Sequence, residues 1–407
     1  MAEQNIEQDF PAFTLADPIA SPTPLPYPVP PADEEWQLPN GFANVYYAQG
    51  TKGVQRPVIM ADGFNLGRSD LDWLYAGLDR DFPLITRMRQ QGRTVILLGF
   101  EERTASILEN AQAVQAAVMR TIAEQLGDAR LTVGGFSMGG MITRYALAKL
   151  EMQRMDHRTG LYFSWDSPHR GGVIPIGLQA FAHFIPTLPG MTHPFAQQMD
   201  SPAARQMLWR HYDKESGEVR VDPMRTEFLA QLDRVGGWPR IPRLLALANG
   251  TGNGTGLDVP PGAIALRSTG LIGFPGTTFR TQATGRGVTV AELKRLLPPA
   301  ARTITTDGFP ELDGAPGGTL ASYQIVADAL KKSGGTADLR HPEICFVPSV
   351  SAVAIRDIDK QDDLYAEIDN LSPDQSDVDD FICSSTTTPH TAITEELGTW
   401  LLDRLPH

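Results

Sequence analysis

Five short, predominantly apolar runs punctuate this chain, at 57–61, 94–100, 131–136, 161–165 and 243–248. Near-continuous apolar character over such a length is what a strand needs when both faces of its sheet are covered. The stretches between follow another period. Ile107, Ala111, Val114, Val118, Ile122 and Leu126 recur at steps of three or four, which sets them on one face of a helix. Residues 141–150 are a good helix sequence directly after the third run. A further helix opens at Asp222 and Pro223 and closes at Gly236 and Gly237, and Ile393, Leu397, Trp400 and Leu401 share a face of the last one. Strands and helices in alternation predict an α/β fold built on a doubly wound, mostly parallel sheet.

Two regions break the alternation and divide the chain. The predicted core spans 54–171, 222–256 and 340–407, and it is interrupted by a helical cap at 172–221 and a β-rich insertion at 257–339. The cap carries Phe181, Phe184, Met191, Phe195, Met199, Met207 and Trp209, which suits either a lid over an apolar pocket or ordinary packing of helices. The insertion holds hairpin-like segments at 263–268 and 277–282, a turn at 313–318 and a helix over 320–332. It shows no chemistry of its own, and widening a cleft or contacting a partner are both open to it. Strand character returns at 345–355. Residues 1–53 read as an extension in which prolines crowd 18–39, favouring a polyproline arm, with order beginning near Arg56.

Composition narrows the partners. A net charge of −13 argues against nucleic acid and anionic membrane surfaces, which would repel the chain. No apolar run approaches the ~18 residues of a membrane span, and the acidic first residues do not resemble a secretory signal, so a cytoplasmic protein is expected. Cys345 and Cys383 are too few for a disulfide framework and match no zinc spacing; they either pair with each other or remain two buried thiols. Nine aspartates and one glutamate crowd 357–380, without the ligand spacing or turn glycine of a calcium loop, so the run reads as a solvated acidic loop. No metal or cofactor is expected. The glycines of 249–256 lack the closing lysine of a phosphate loop.

The chemistry concentrates at Gly135-Phe136-Ser137-Met138-Gly139, followed by Gly140. An apolar strand precedes it and a helix follows, so Ser137 occupies the apex of a sharp turn that only small neighbours permit. At these residues the chain resembles the α/β-hydrolase superfamily, in its lipase and esterase branch, from about Val58 to the C-terminus. The resemblance is carried by short islands. It implies that Ser137 is a nucleophile and that backbone N–H groups of Met138 and Phe64 form an oxyanion hole, with Asn65 second to Phe64 and a pocket residue. It implies that the catalytic acid follows a strand beyond the nucleophile: Asp166 first, Asp258 as runner-up, since the usual later position holds Asn249 in a carboxylate-free stretch. It implies that the base is His390, in a polar loop before the terminal helix, with His169 and His341 less well placed. Phe181 and Phe184 become pocket-lining candidates. The expected activity is hydrolysis of an apolar or lipid-like carboxylic ester, a small-molecule acyl substrate, through an acyl-enzyme. An acyltransferase or cyclase would use the same intermediate, and a non-catalytic scaffold would use none.

Overall fold

The computed structural model describes residues 10–15 and 28–406. The fold class expected from the alternation of runs is the one found. Eight strands form the main sheet: β1 (Glu34–Leu38), β2 (Gly41–Tyr46), β3 (Val58–Ala61), β4 (Val95–Phe100), β5 (Leu131–Phe136), β6 (Thr159–Trp165), β7 (Arg243–Ala248) and β8 (Asp380–Cys383). Their spatial order is β1-β2-β4-β3-β5-β6-β7-β8, and β2 alone runs against the rest. Successive residues serve opposite cores. Ile59, Ala61, Ile96, Leu98, Val133 and Tyr162 join the helices Ile107–Glu124 and Met138–Met152 on one face. Val58, Met60, Val95, Leu97, Leu161 and Phe163 join the helices Leu71–Asp79 and Glu395–Leu402 on the other. Burial on both faces is why these strands read as near-continuous apolar runs. Leu126 lies beyond the end of its helix and is exposed.

Order starts earlier than Arg56. β1 and β2 belong to the sheet edge, although the sequence reading assigns them to the extension. β1 is Glu-rich and buries only Trp36, as suits an edge strand that must discourage further pairing, so no apolar run betrays it. Of the polyproline reading, the part at 18–27 lies outside the described residues, as does the signal-peptide reading of the first nine.

The insertion forms a second, antiparallel sheet from Ile264–Ser268, Thr278–Arg280, Val288–Arg295, Ala300–Thr306 and Ala337–Leu339. The cap contributes the helices Ile176–Ala182, Pro194–Asp200 and Pro202–Met207, the first of which packs on this second sheet around Gly177 and Ala291. The insertion does not stay apart from the core. Its strand Gly317–Leu320 pairs with Ile344–Pro348 and reaches the ends of the main-sheet strands. That strand stops at Pro348, where the helix Ser349–Ala352 begins, so only the first part of 345–355 is strand.

The acidic run is likewise more than a solvated loop. Asp377 pairs with Arg170 at 2.9 Å, Asp359 with Arg210 at 2.6 Å, and Asp380, the first residue of β8, with Arg243 at 2.9 Å and Arg404 at 3.0 Å. Cys345 and Cys383 are free and buried, which removes the disulfide alternative.

Candidate active site

β5 ends at Phe136 and the chain turns at once into the helix Met138–Met152. Ser137 between them holds φ 53° and ψ −123°, a region that residues with a side chain rarely adopt and that costs on the order of 1–3 kcal/mol. The surroundings enforce it. A Cβ on Gly135 would strike the Gly139 and Gly140 backbone, and a Cβ on Gly139 would strike the carbonyls of Ala61 and Asp62. Helix, β3 and β5 therefore meet at backbone distance beneath Ser137, whose own N–H donates to the Trp165 carbonyl at 2.9 Å.

Asp166 follows β6 directly, and its φ of 48° is also left-handed. Its carboxylate is fully buried and both oxygens are engaged. Oδ1 accepts from the Asn249 N–H at 3.0 Å, and Oδ2 lies 2.6 Å from His390 Nδ1. An ionised carboxylate can only accept, so the proton of a neutral imidazole sits on Nδ1 and Nε2 is the basic nitrogen.

The His390 loop is held from three sides. Its N–H donates to the Thr319 carbonyl at 2.8 Å, Thr319 N–H donates back to the Thr388 carbonyl at 3.2 Å, and the Phe346 ring stands edge-on to the imidazole at 4.7 Å. Asn249 ties the remaining parts together. Its Nδ2 donates to Thr388 Oγ1 and to the Ala392 carbonyl, both at 2.8 Å, while its Oδ1 accepts from Trp165 Nε1 at 3.0 Å. Gly318 is needed for space, because a Cβ there would overlap Asp166 Oδ2.

Ser137, His390 and Phe64 line one cavity, walled otherwise by Leu15, Ile174, Gln198, Met199, Ala204, Met207, Leu208, Leu320 and Phe346. Phe64 is brought there by the Asp62-Gly63 turn. Asp62 Oδ1 accepts from the Gly63 N–H at 2.8 Å, and Arg103 lies 3.6 Å from Oδ2, opposing the burial that pushes this carboxyl up. Gly63 sits over Ser137, where a Cβ would come 3.4 Å from that of the serine. Met138 opens the helix beside Ser137.

Other expectations need correction. Asp258 is exposed in the turn after the glycine-rich stretch, and the carboxylate against His390 is that of Asp166. Asn65 turns its side chain onto the Leu66 N–H at 2.8 Å and does not face the cavity. Phe181 and Phe184 do not line it either: Phe181 packs among Phe10, Phe274 and Phe279, and Phe184 lies against Phe274 under Arg295. An apolar face on a cap helix had two neighbours to choose from, and the second sheet took it. His169 is structural, with Nε2 2.9 Å from Ser164 Oγ and Nδ1 3.4 Å from Arg144; burial, with Arg144 and Arg170 beside it, holds its pKa well below the usual histidine value. His341 lies in the turn before Ile344–Pro348.

Sequence reasoning missed Asn249, Thr319, Gln198 and Leu15. Asn249 carried a signal, standing at a strand end where a carboxylate was sought and not found. The others are set by long-range packing. Among the described residues no group of three or more His, Cys, Asp or Glu side chains is arranged to hold a metal ion, and no helix is long and apolar enough to cross a membrane.

Comparison of the sequence with protein-family models and with curated proteins finds no match. Solved structures similar to the chain are esterases and lipases. They include the mature lipase BlEst2 of Bacillus licheniformis (11% identity over 51% of this chain and 72% of that one, TM-score 0.31). The thermophilic carboxylesterase EstE1, cloned from a metagenomic library, is 14% identical over 53% of this chain and 78% of its own, with a TM-score of 0.31. The hyperthermophilic esterase of Pyrobaculum calidifontis is 12% identical over 54% and 65%, with a TM-score of 0.34. At such values the geometry around Ser137 has to carry the functional argument.

Proposed function

We propose that this chain is a serine hydrolase of the α/β-hydrolase superfamily, of esterase or lipase type, which cleaves a carboxylic ester with an apolar acyl group. One observation carries the reading: the 2.6 Å contact of Asp166 with His390, whose ring lines the same cavity as Ser137 at its strained turn. Three chain segments far apart in sequence converge there, and each supplies the residue type that the chemistry needs in its place.

In this mechanism His390 Nε2 takes the proton of Ser137 Oγ as the oxygen attacks the acyl carbonyl. Asp166 keeps the Nδ1–H tautomer and stabilises the imidazolium that forms, while remaining ionised itself. The N–H groups of Phe64 and Met138 hold the tetrahedral oxyanion, the latter at a helix N-terminus, where unpaired donors and the dipole favour negative charge. As the intermediate collapses, His390 passes the proton to the departing alkoxide and the acyl group stays on Ser137. Water then attacks the acyl-enzyme, giving its proton to Nε2; as the second intermediate collapses, His390 returns that proton to Ser137 Oγ, the bond between Oγ and the acyl carbon breaks, and the acid leaves. The apolar lining supports an apolar acyl group, since Ile174, Met199, Met207 and Leu208 offer no partner to a charged one.

The test is labelling with a fluorophosphonate followed by peptide mapping. The adduct is expected on Ser137 and is lost in Ser137→Ala; a folded protein that takes no label there defeats the reading. Turnover of p-nitrophenyl esters with and without an added alcohol then distinguishes hydrolysis from acyl transfer by the product formed.

A further inference from the structure

One wall of the Ser137 cavity comes from the far N-terminal part of the chain. Leu15 lines the cavity and is 4% exposed. It is held by Gln198, whose Nε2 donates to the Leu15 carbonyl at 2.7 Å and whose Oε1 accepts from the Leu15 N–H at 2.9 Å. This is how a neighbouring strand would pair with the backbone, performed here by one amide. Gln198 is itself fully buried among Met199, Ala204, Met207 and Leu208. An amide in so apolar a wall needs partners, and the Leu15 backbone supplies both.

Upstream the segment is anchored by rings. Phe10 meets Phe274 at 5.1 Å and Phe181 at 6.0 Å, both edge-on, and Phe13 lies 5.0 Å from Phe195 and 5.1 Å from His193. His193 Nε2 is 3.1 Å from the Pro11 carbonyl. These anchors belong to the cap and to the connection between the second-sheet strands Ile264–Ser268 and Thr278–Arg280, whereas the main-sheet strand ends carry Ser137 and Asp166. The strap can therefore change without disturbing the elbow.

We infer that residues 10–15 form a specificity strap, in which Leu15 limits the length of the acyl group the cavity accepts. The inference rests on the ester-hydrolase reading of Ser137 and names the substrate class more narrowly: esters of short to medium acids. Leu15 occupies volume that a longer chain would need, and a hydrophobic pocket discriminates about tenfold or more per methylene gained or lost. Shortening Leu15 moves the optimum to longer chains. Enlarging it moves the optimum to shorter ones.

The experiment compares kcat/KM for p-nitrophenyl acetate, butyrate, octanoate and laurate in the full-length parent, Leu15→Ala, Leu15→Trp and Phe13→Ala. In Leu15→Ala the laurate-to-acetate ratio rises about tenfold, and in Leu15→Trp the octanoate-to-acetate ratio falls by a similar factor. Phe13→Ala, which loosens the anchor without facing Ser137, shifts the ratio in the same direction as Leu15→Ala. Melting curves of the variants identify any that fail to fold, and the remaining ones decide. Chain-length profiles parallel to the parent, with acetate still turned over, overturn the strap and leave the hydrolase reading standing. A parent with no Ser137-dependent turnover even of acetate removes both.

Discussion

The two walls of the Ser137 cavity are built on opposite principles. On the sheet side Ser137, Asp166 and Asn249 stand at the ends of adjacent parallel strands, and a continuous set of hydrogen bonds links Asp166, Asn249, Thr388, Thr319 and the His390 loop. On the cap side Ile174, Met199, Met207 and Leu15 present hydrocarbon, and the main polar element is the Gln198 amide. Strand spacing in a hydrogen-bonded sheet is set by the backbone, so the first wall can hold atoms to the fraction of an ångström that proton transfer requires. Dispersion contacts are non-directional, so the second wall can be recut with little effect on the first. On the proposed reading, reaction and selectivity are separable for that reason, and mutations should divide accordingly.

The largest effect is expected at Ser137→Ala, with kcat falling by about a million-fold, as for a triad that acts as a unit. Ala fits the elbow, so melting temperature should stay close to the parent; p-nitrophenyl butyrate turnover within a few-fold of the parent would end the nucleophile assignment. Asp166→Asn comes next, at about ten-thousand-fold in kcat, because Asn can present its N–H to His390 and stabilise the wrong tautomer. Asp258→Asn should leave kcat unchanged, its side chain being exposed and away from the His390 contact. The reverse pattern would move the acid to the later strand.

Asn249→Ala tests whether the linkage itself matters. It keeps the backbone N–H that Asp166 accepts but drops the bonds to Trp165, Thr388 and Ala392, so the His390 loop loses its register. About a hundredfold loss in kcat, with KM little changed, is expected from a misplacement of this kind. An equal loss in KM alone would mean that Asn249 shapes the pocket and does not position the base.

The smallest effect concerns stability at a buried carboxyl outside the lining of the Ser137 cavity. Asp313 is buried and accepts one bond from the Gln282 N–H at 2.9 Å, and burial pushes its carboxyl up to about 6. A folded pKa above the unfolded one means that the contribution to stability is present below the ordinary value near 4 and is lost as pH rises through about 6. Asp313→Asn removes that loss. Urea unfolding should find the variant more stable than the parent by about 3 kcal/mol at pH 7.5, with the gap closing at pH 4. A gap of equal size at both values would refute the burial argument.

Much of the sheet side is legible in the sequence. The glycines around Ser137 announce close approach, and the near-continuous apolar runs announce a sheet covered on both faces. Asp166 and His390 stand at element ends, where such a sheet exposes side chains. The cap side was legible in composition only. Phe181 and Met199 look alike in sequence, both apolar residues on short helices, yet one packs against the second sheet and the other faces Ser137.

What the sequence determined by itself is local: the period of each run, the strained turn at Ser137, and residue types whose chemistry is restricted. These follow from backbone sterics and burial, which act over a few residues. Tertiary structure alone decided which acid meets His390, that β1 and β2 extend the sheet, that Gly317–Leu320 from the insertion supports the His390 loop, and that Leu15 reaches the cavity. Each depends on contacts between segments far apart in the chain. An apolar or amide side chain is compatible with many such partners, and only the packing of the whole molecule selects one.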